Sequence, residues 1–178
     1  MKNCVYIATT LDGFIARENG KLDWLPGAEE EAEHSTGEDF GFANFFESID
    51  VLLMGRKSFE FVESSGKWPY SNKRVIVLSK TIKKNLPHNI EVQSGCVEEI
   101  FRDLQISGAK RVYVDGGQTI QSFLNFGLIH EITITKVPVI IGRGIPLFGA
   151  THKDIQLSHI ETTSYSNGFV QSRYDVLP

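Results

Sequence analysis

Short apolar runs with strand composition end abruptly at glycine or a polar turn and pass directly into segments with helical spacing. This alternation is the strongest constraint on the fold. Asp50-Val-Leu-Leu-Met54 stops at Gly55, and Arg56-Lys57-Ser58-Phe59-Glu60-Phe61-Val62 opens a short helix. Arg111-Val-Tyr-Val114 is followed at once by Asp115-Gly116-Gly117, after which Ile120, Phe123 and Leu124 keep helical spacing to a stop near Gly127. Strands alternating with helices predict a largely parallel sheet with helices on its faces.

The rest of the chain extends the pattern. Residues 3–10 open the fold as a strand, and a glycine-punctuated stretch with Asn19-Gly20 and Pro26-Gly27 reads as a long structured loop. Loops of that length inside compact domains are usually functional. Phe42, Phe45, Phe46 and Ile49 mark an acidic helical segment, and 74–79 and 89–93 read as further strands. Val97, Ile100, Phe101 and Leu104 mark a helix that Gly108 stops. A long strand is expected over 131–141, and Pro138 inside it implies an edge or a bulge. Two last strands, near 155–163 and 168–176, flank the hairpin signal Ser166-Asn167-Gly168 and predict an antiparallel edge.

At 178 residues the chain is expected to form a single domain, 1–178, with 41% apolar and 22% charged residues, as in ordinary globular proteins. No apolar run approaches a membrane span, and Met1-Lys2-Asn3 does not open a signal peptide. Two cysteines, Cys4 and Cys96, lack framework or metal spacing, which favours a reducing cytoplasm. The net charge of −4 is unevenly spread. Residues 1–50 hold eleven carboxylates against three Lys/Arg, whereas 56–84 hold eight Lys/Arg against Glu60 and Glu63. Either both runs are solvated faces or they mark two sub-sites of different polarity. A net acidic chain without interleaved aromatic and basic residues argues against nucleic acid and for a small polyanionic ligand.

Open α/β sheets bind ligands at the carboxyl ends of their strands. At Gly55-Arg56-Lys57-Ser58, free N–H groups at a helix start would attract anions, helped by two cations. At Gly116-Gly117-Gln118-Thr119, residues without Cβ let the backbone approach a pyrophosphate closely. Ser79-Lys80-Thr81 ends a third strand. Each could be a tight turn only, but together they favour phosphate binding. There is no P-loop or dinucleotide fingerprint, and Gly142-Arg143-Gly144 reads as a turn. No metal site or hydrolase elbow is visible, and His34, His88, His130, His152 and His159 are scattered. Asp39 is the most suggestive carboxylate. If buried against the phenylalanines, its pKa would rise and suit proton donation; if solvated, it would be a helix N-terminal acid favoured by the dipole.

Leu11-Asp12-Gly13-Phe14-Ile15-Ala16, Met54-Gly55-Arg56-Lys57-Ser58, Val77-Leu78-Ser79-Lys80 and Val114-Asp115-Gly116-Gly117, in this order, resemble the dihydrofolate reductase superfamily. Asp-Gly-Gly-Gln-Thr at 115–119 and the segment 141–149 are most similar to the reductase domain of the bifunctional riboflavin-biosynthesis deaminase/reductase. The resemblance implies a three-layer α/β fold: a central mixed eight-stranded, mostly parallel sheet with flanking helices and an antiparallel last strand. It implies NADPH as hydride donor. Gly55, Arg56, Lys57 and Ser58 would hold phosphates at the adenosine end, Ser79 and Lys80 would lie near the 2′-phosphate, and Gly116, Gly117, Gln118 and Thr119 would cradle the pyrophosphate. Ala8 and Ile15 would flank the nicotinamide, the 12–27 loop with Trp24 would cover the site, and Asp39 would be the substrate-side acid. A homodimer through the strand-rich C-terminal part is also implied. The helix around 38–48 carries Glu38, Asp39 and Glu47 and no Lys/Arg, which disfavours a folate tail. The expected activity is therefore reduction of a C=N or C=O in a small heterocycle, such as the ribosylamino-pyrimidine of riboflavin synthesis or a pterin. The alternatives are a nucleotide-binding regulatory module without turnover and, with least support, an adaptor protein.

Overall fold

A computed structural model describes residues 1–26, 38–66 and 68–178. Gly27 of the expected cover loop, His34 and Lys67 of the basic run lie outside the described residues. Among the described residues, ten strands and four helices follow the alternation read above, in the order β1 (Lys2–Thr10), β2 (Phe14–Ala16), α1 (Phe42–Ser48), β3 (Val51–Gly55), α2 (Arg56–Ser64), β4 (Arg74–Leu78), β5 (Ile90–Gln93), α3 (Val97–Ile106), β6 (Arg111–Asp115), α4 (Gly117–Asn125), β7 (Glu131–Val137), β8 (Ile145–Pro146), β9 (Leu157–Ser164) and β10 (Val170–Val176).

Eight strands form one sheet in the order β5-β4-β3-β6-β1-β7-β10-β9. Every pair from β5 to β7 is parallel, and β10 runs antiparallel to both its neighbours. Strands β3, β4 and β5 are neighbours both in sequence and in the sheet, and each parallel step needs a crossover that returns the chain to the same end. All those returns leave the carboxyl ends of β3, β4, β5 and β6 side by side, which fixes where a ligand can sit.

The pleat sorts side chains into two cores. Val5, Leu53, Ile76, Val112, Val114 and Ile132 face α3 and α4 and pack on Ile100, Leu104, Ile120 and Phe123. Cys4, Leu52, Met54, Val75, Val77 and Tyr113 face the other way, onto Phe45 of α1 and Phe59 of α2. Since β3 contributes to both, its four residues Val51–Met54 are all buried, as an unbroken apolar run in a parallel sheet should be. A third cluster, Trp24 with Val137 and Phe169, closes the end of β1 and β7.

Two expectations are corrected. Strand β7 stops at Val137 rather than 141. It is flanked on both sides, by β1 and β10, so Pro138, which has no N–H to give to a ladder, cannot continue it. The sheet edge is β9 instead, and all eight of its residues are exposed. The Phe14–Ala16 strand, read only as part of a loop, pairs with Ile145–Pro146 in a small second sheet. Among the described residues no helix is long and apolar enough to cross a membrane.

Candidate active site

A cleft of about 1440 Å³ opens at the carboxyl ends of β3, β4, β5 and β6. It gathers the three junctions that the sequence marked separately: Ile15, Gly55 to Ser58, Ser79, Lys80 and Gly116 to Thr119 all line it. Helices α2 and α4 begin here with no side-chain cap. Their first N–H groups have no helical partner and face the cleft, a ready-made anion site. The first turn of α2 holds Arg56 and Lys57 and no acid. The helix dipole disfavours cations there, so this placement weakens the helix while adding charge to the cleft.

The two glycine turns interlock. A methyl group on Gly55 would lie 2.9 Å from Thr119 Oγ1, one on Gly116 would lie 2.4 Å from Ser58 Oγ, and one on Gly117 would lie 2.8 Å from Ile15 Cδ1. Gly116 also has φ +88°, which residues with a Cβ rarely adopt. Glycine at these turns thus lets α2, α4 and the Ile15 strand approach closely, with no Cβ at the three turn positions to fill the space between them. Ser79 Oγ accepts from the N–H groups of Thr81 and Ile82, both at 3.1 Å, and lies 3.4 Å from Thr81 Oγ1, so it caps the turn at the end of β4.

Asp115, quoted in the sequence only as part of a motif, emerges as the enclosed carboxyl group of the site, beside the exposed Glu18 and Glu60. It ends β6 on the cleft wall, and burial pushes its pKa above the usual carboxylate value, against hydrogen bonds from Tyr113, Gly116 and Ser58. Tyr113 lies beneath it, with Oη 2.9 Å from the Tyr6 carbonyl and 3.3 Å from Asp115 Oδ1. Its phenol is held protonated by burial and by the neighbouring Asp115, and burial also raises Tyr70 to about 12. The signal for Asp115 was a carboxylate at the last position of an apolar strand, directly before the glycine pair. A third strand-to-helix junction, Gln93-Ser94-Gly95 before α3, also lines the cleft and was not singled out. Residues 18–22 form the opposite lip, in a turn closed by the Arg17–Asp23 ion pair at 2.8 Å.

The remaining expected residues lie elsewhere. Ala8 and Trp24 pack together with Phe40, Val137 and Phe169 beyond the end of the cleft, with Trp24 8% exposed. Asp39 is exposed, and its carboxylate accepts the N–H groups of Gly41 at 2.9 Å and Ala43 at 3.0 Å. Those bonds hold its pKa below the ordinary value. Of the two readings of Asp39, the structure shows the solvated acid at a helix start and not the buried carboxyl: two backbone donors at the start of α1 stabilise the ionised form. The adjoining Phe40 has φ +55°, and its carbonyl is clasped by the Tyr6 hydroxyl and by Gln171 Nε2. Among the described residues no cluster of His, Cys, Asp and Glu is suited to hold a metal ion.

Comparison with known proteins agrees with this architecture. YyaP of Bacillus subtilis is 31% identical, across 94% of this chain and 91% of its own length. YwjB of the same organism is 29% identical across 97% of each. The crystal structure of a Shewanella sp. PV-4 protein superposes over the whole of both chains with a TM-score of 0.88 and 36% identity. Two more distant structures share the fold at 16% identity. One is a Thermotoga maritima diaminohydroxyphosphoribosylaminopyrimidine deaminase/5-amino-6-(5-phosphoribosylamino)uracil reductase (TM-score 0.72), with 99% of this chain matching 56% of that one. The other is Enterococcus faecalis dihydrofolate reductase complexed with NADP(H) (TM-score 0.69), with 99% of this chain matching 97% of that one. The family model described as the RibD C-terminal domain matches residues 4–171, and the chain belongs to that family.

Proposed function

We propose that the chain is an NADPH-dependent reductase of a small heterocyclic substrate. The observation that carries this reading is the convergence of two uncapped helix N-termini, with Arg56, Lys57 and Lys80, on one cleft at the strand ends. The glycine cradle fits a pyrophosphate, and membership of the RibD C-terminal domain family, with its resemblance to reductases, supports a dinucleotide rather than another polyanion. On this reading Gly116 to Thr119 hold the pyrophosphate, and Arg56, Lys57, Ser58, Ser79 and Lys80 hold the phosphates at the adenosine end. Ile15 packs at the inner end of the cleft. NADPH, when bound, supplies a hydride for a C=N or C=O carbon of the substrate.

Asp115 is the acid at the cleft wall. Tyr113 Oη lies 2.9 Å from the Tyr6 carbonyl and 3.3 Å from Asp115 Oδ1, and burial raises the pKa of Asp115 above the ordinary carboxylate value, which suits proton exchange with a bound substrate. Asp39, ionised and exposed, is better suited to bind a positive or hydrogen-bonding edge of the substrate than to donate a proton. No Lys or Arg occurs from Leu22 to Gly55, so this segment offers no partner to a carboxylate tail such as that of a folate. A ribosylamino-pyrimidine or a pterin fits this description. The reading includes a homodimer through the fully exposed β9 edge, and a reducing cytoplasm in which Cys4 and Cys96 remain thiols.

The test is a fluorescence titration with NADPH, followed by NADPH oxidation with 5-amino-6-(5-phosphoribosylamino)uracil and with dihydropterin. Saturable NADPH binding is expected, and oxidation with one of the two substrates. Absence of binding at millimolar NADPH would sink the reading, whereas binding without turnover would favour a regulatory module.

A further inference from the structure

We infer that Glu60 is a specificity-determining residue of the cleft: by occupying Arg56, it weakens the preference for a dinucleotide carrying a 2′-phosphate. The inference rests on the dinucleotide reading above and concerns how strongly one member of that class is preferred.

Arg56 is the first residue of α2, and Glu60 lies one turn later, with Arg56 Nη1 2.9 Å from Oε1 and 3.2 Å from Oε2. Both side chains are about half exposed, at 44% and 48%, and both residues line the cleft. The pair contributes little to the helix. The favourable order for such a pair places the acid N-terminal to the base, and a cation in the first turn opposes the dipole. Nothing in helix formation therefore explains why this arginine is here, whereas an anion in the cleft does. Glu60 is then an internal anion already seated on the cation that an incoming phosphate needs.

The consequence depends on charge. A phosphate monoester carries close to two negative charges at neutral pH, against one for the carboxylate, so it can compete for the guanidinium. Glu60 remains next to it and repels it. The bridging phosphates of a pyrophosphate are contacted by the N–H groups of α4, on the other side of the cleft floor, and are affected less. Lys57, Lys80 and, on the opposite lip, Lys21 also line the cleft and supply the rest of the attraction. The chain therefore discriminates for the 2′-phosphate less than its cleft cations alone would.

The test is titration of the full chain and of Glu60→Gln with NADPH and with NADH, at fixed low salt, with circular dichroism to confirm folding. Removing one charge at about 6 Å from a dianion in high dielectric is worth about three- to tenfold in affinity. The expected result is NADPH binding about three- to tenfold tighter in the variant, with the ratio of the NADH to NADPH dissociation constants raised by a similar factor. The gain should shrink in high salt as screening grows. A ratio that is unchanged, or that falls because Glu60 serves to aim Arg56, overturns the inference while leaving the dinucleotide reading intact. Failure of the wild-type chain to bind either dinucleotide overturns the dinucleotide reading itself, and this assignment with it.

Discussion

Substituting Gly116 by alanine strikes the cleft at the point where conformation and packing both require glycine. The residue sits at φ +88° and ψ 132°, and a methyl group there would stand 2.4 Å from Ser58 Oγ. Holding a non-glycine residue in such backbone costs about 1–3 kcal/mol. Overpacking a tight contact adds about 1–3 kcal/mol more. In a chain of this size each kcal/mol lowers Tm by about 2–4 °C, so Gly116→Ala should melt about 5–20 °C below the wild type. The two costs can be separated. With Ser58→Ala the hydroxyl is gone and the new methyl meets only the Ser58 Cβ position at 3.6 Å, an ordinary contact. The same substitution in that background should keep the backbone cost alone and lose about half of the Tm decrement. Differential scanning calorimetry on the four proteins closes the cycle. A Gly116→Ala protein that melts with the wild type, or an equal loss in both backgrounds, would refute the interlock between α2 and α4.

Four other outcomes follow from the same geometry. Asp115 is held above the ordinary aspartate value of 3.8, so its stabilising contribution is complete below that pH and is lost as pH rises through the folded value. Asp115→Asn should therefore gain in Tm relative to the wild type as pH is raised from acid to neutral, a trend that scanning fluorimetry reads directly; a pH-independent difference would remove the buried carboxyl from the account. Asp39 has the opposite sign: its pKa is lowered, so its contribution is present above 3.8 and lost as pH falls through the folded value. Asp39→Ala should lower Tm at neutral pH by an amount that shrinks in acid, and a deficit that persisted unchanged in acid would contradict the charge on α1. Arg56→Ala should weaken NADPH more than NADH in equilibrium titration, and equal losses would place the 2′-phosphate elsewhere. Arginine at both Leu157 and Ile160, which are 40% and 44% exposed on the β9 edge, should convert a dimer to a monomer in sedimentation equilibrium; an unaltered dimer would move the interface off β9.

How much of this was legible in one dimension depends on the distance over which each decision is made. The turn at Gly55 and the turn at Gly116 could be read because a strand, a glycine and a helix start are neighbours in sequence, and the switch from period two to period 3.6 is local. That Ser58 rests on Gly116, and Thr119 on Gly55, could not be read: the partners are about sixty residues apart and meet only because β3 and β6 pair in parallel. Pro138 misled for the same reason. Inside an extended run it suggests an edge, and only the sheet order, with β10 returning beside β7, shows that the run must end before it.

The carboxylates and the charges make the same point for the site. Asp39 and Asp115 both stand at element ends, and sequence favoured the one beside three phenylalanines. Apolar neighbours along a chain do not establish burial, however: Asp39 turns back to the N–H groups of Gly41 and Ala43, while Asp115 is enclosed by Tyr113 of its own strand and by Ser58 of α2. The basic run 56–84 likewise divides once folded. Lys84 goes to Glu63, Arg74 to Glu91, and Lys73 to the carbonyls of Glu47 and Ile49, leaving Arg56, Lys57 and Lys80 at the cleft. The excess of positive charge seen in the sequence therefore overstates what a ligand meets. Even of the three cations that remain, one is already partnered by Glu60, so the field in the cleft is set by pairings across turns and strands rather than by the number of basic residues in the run.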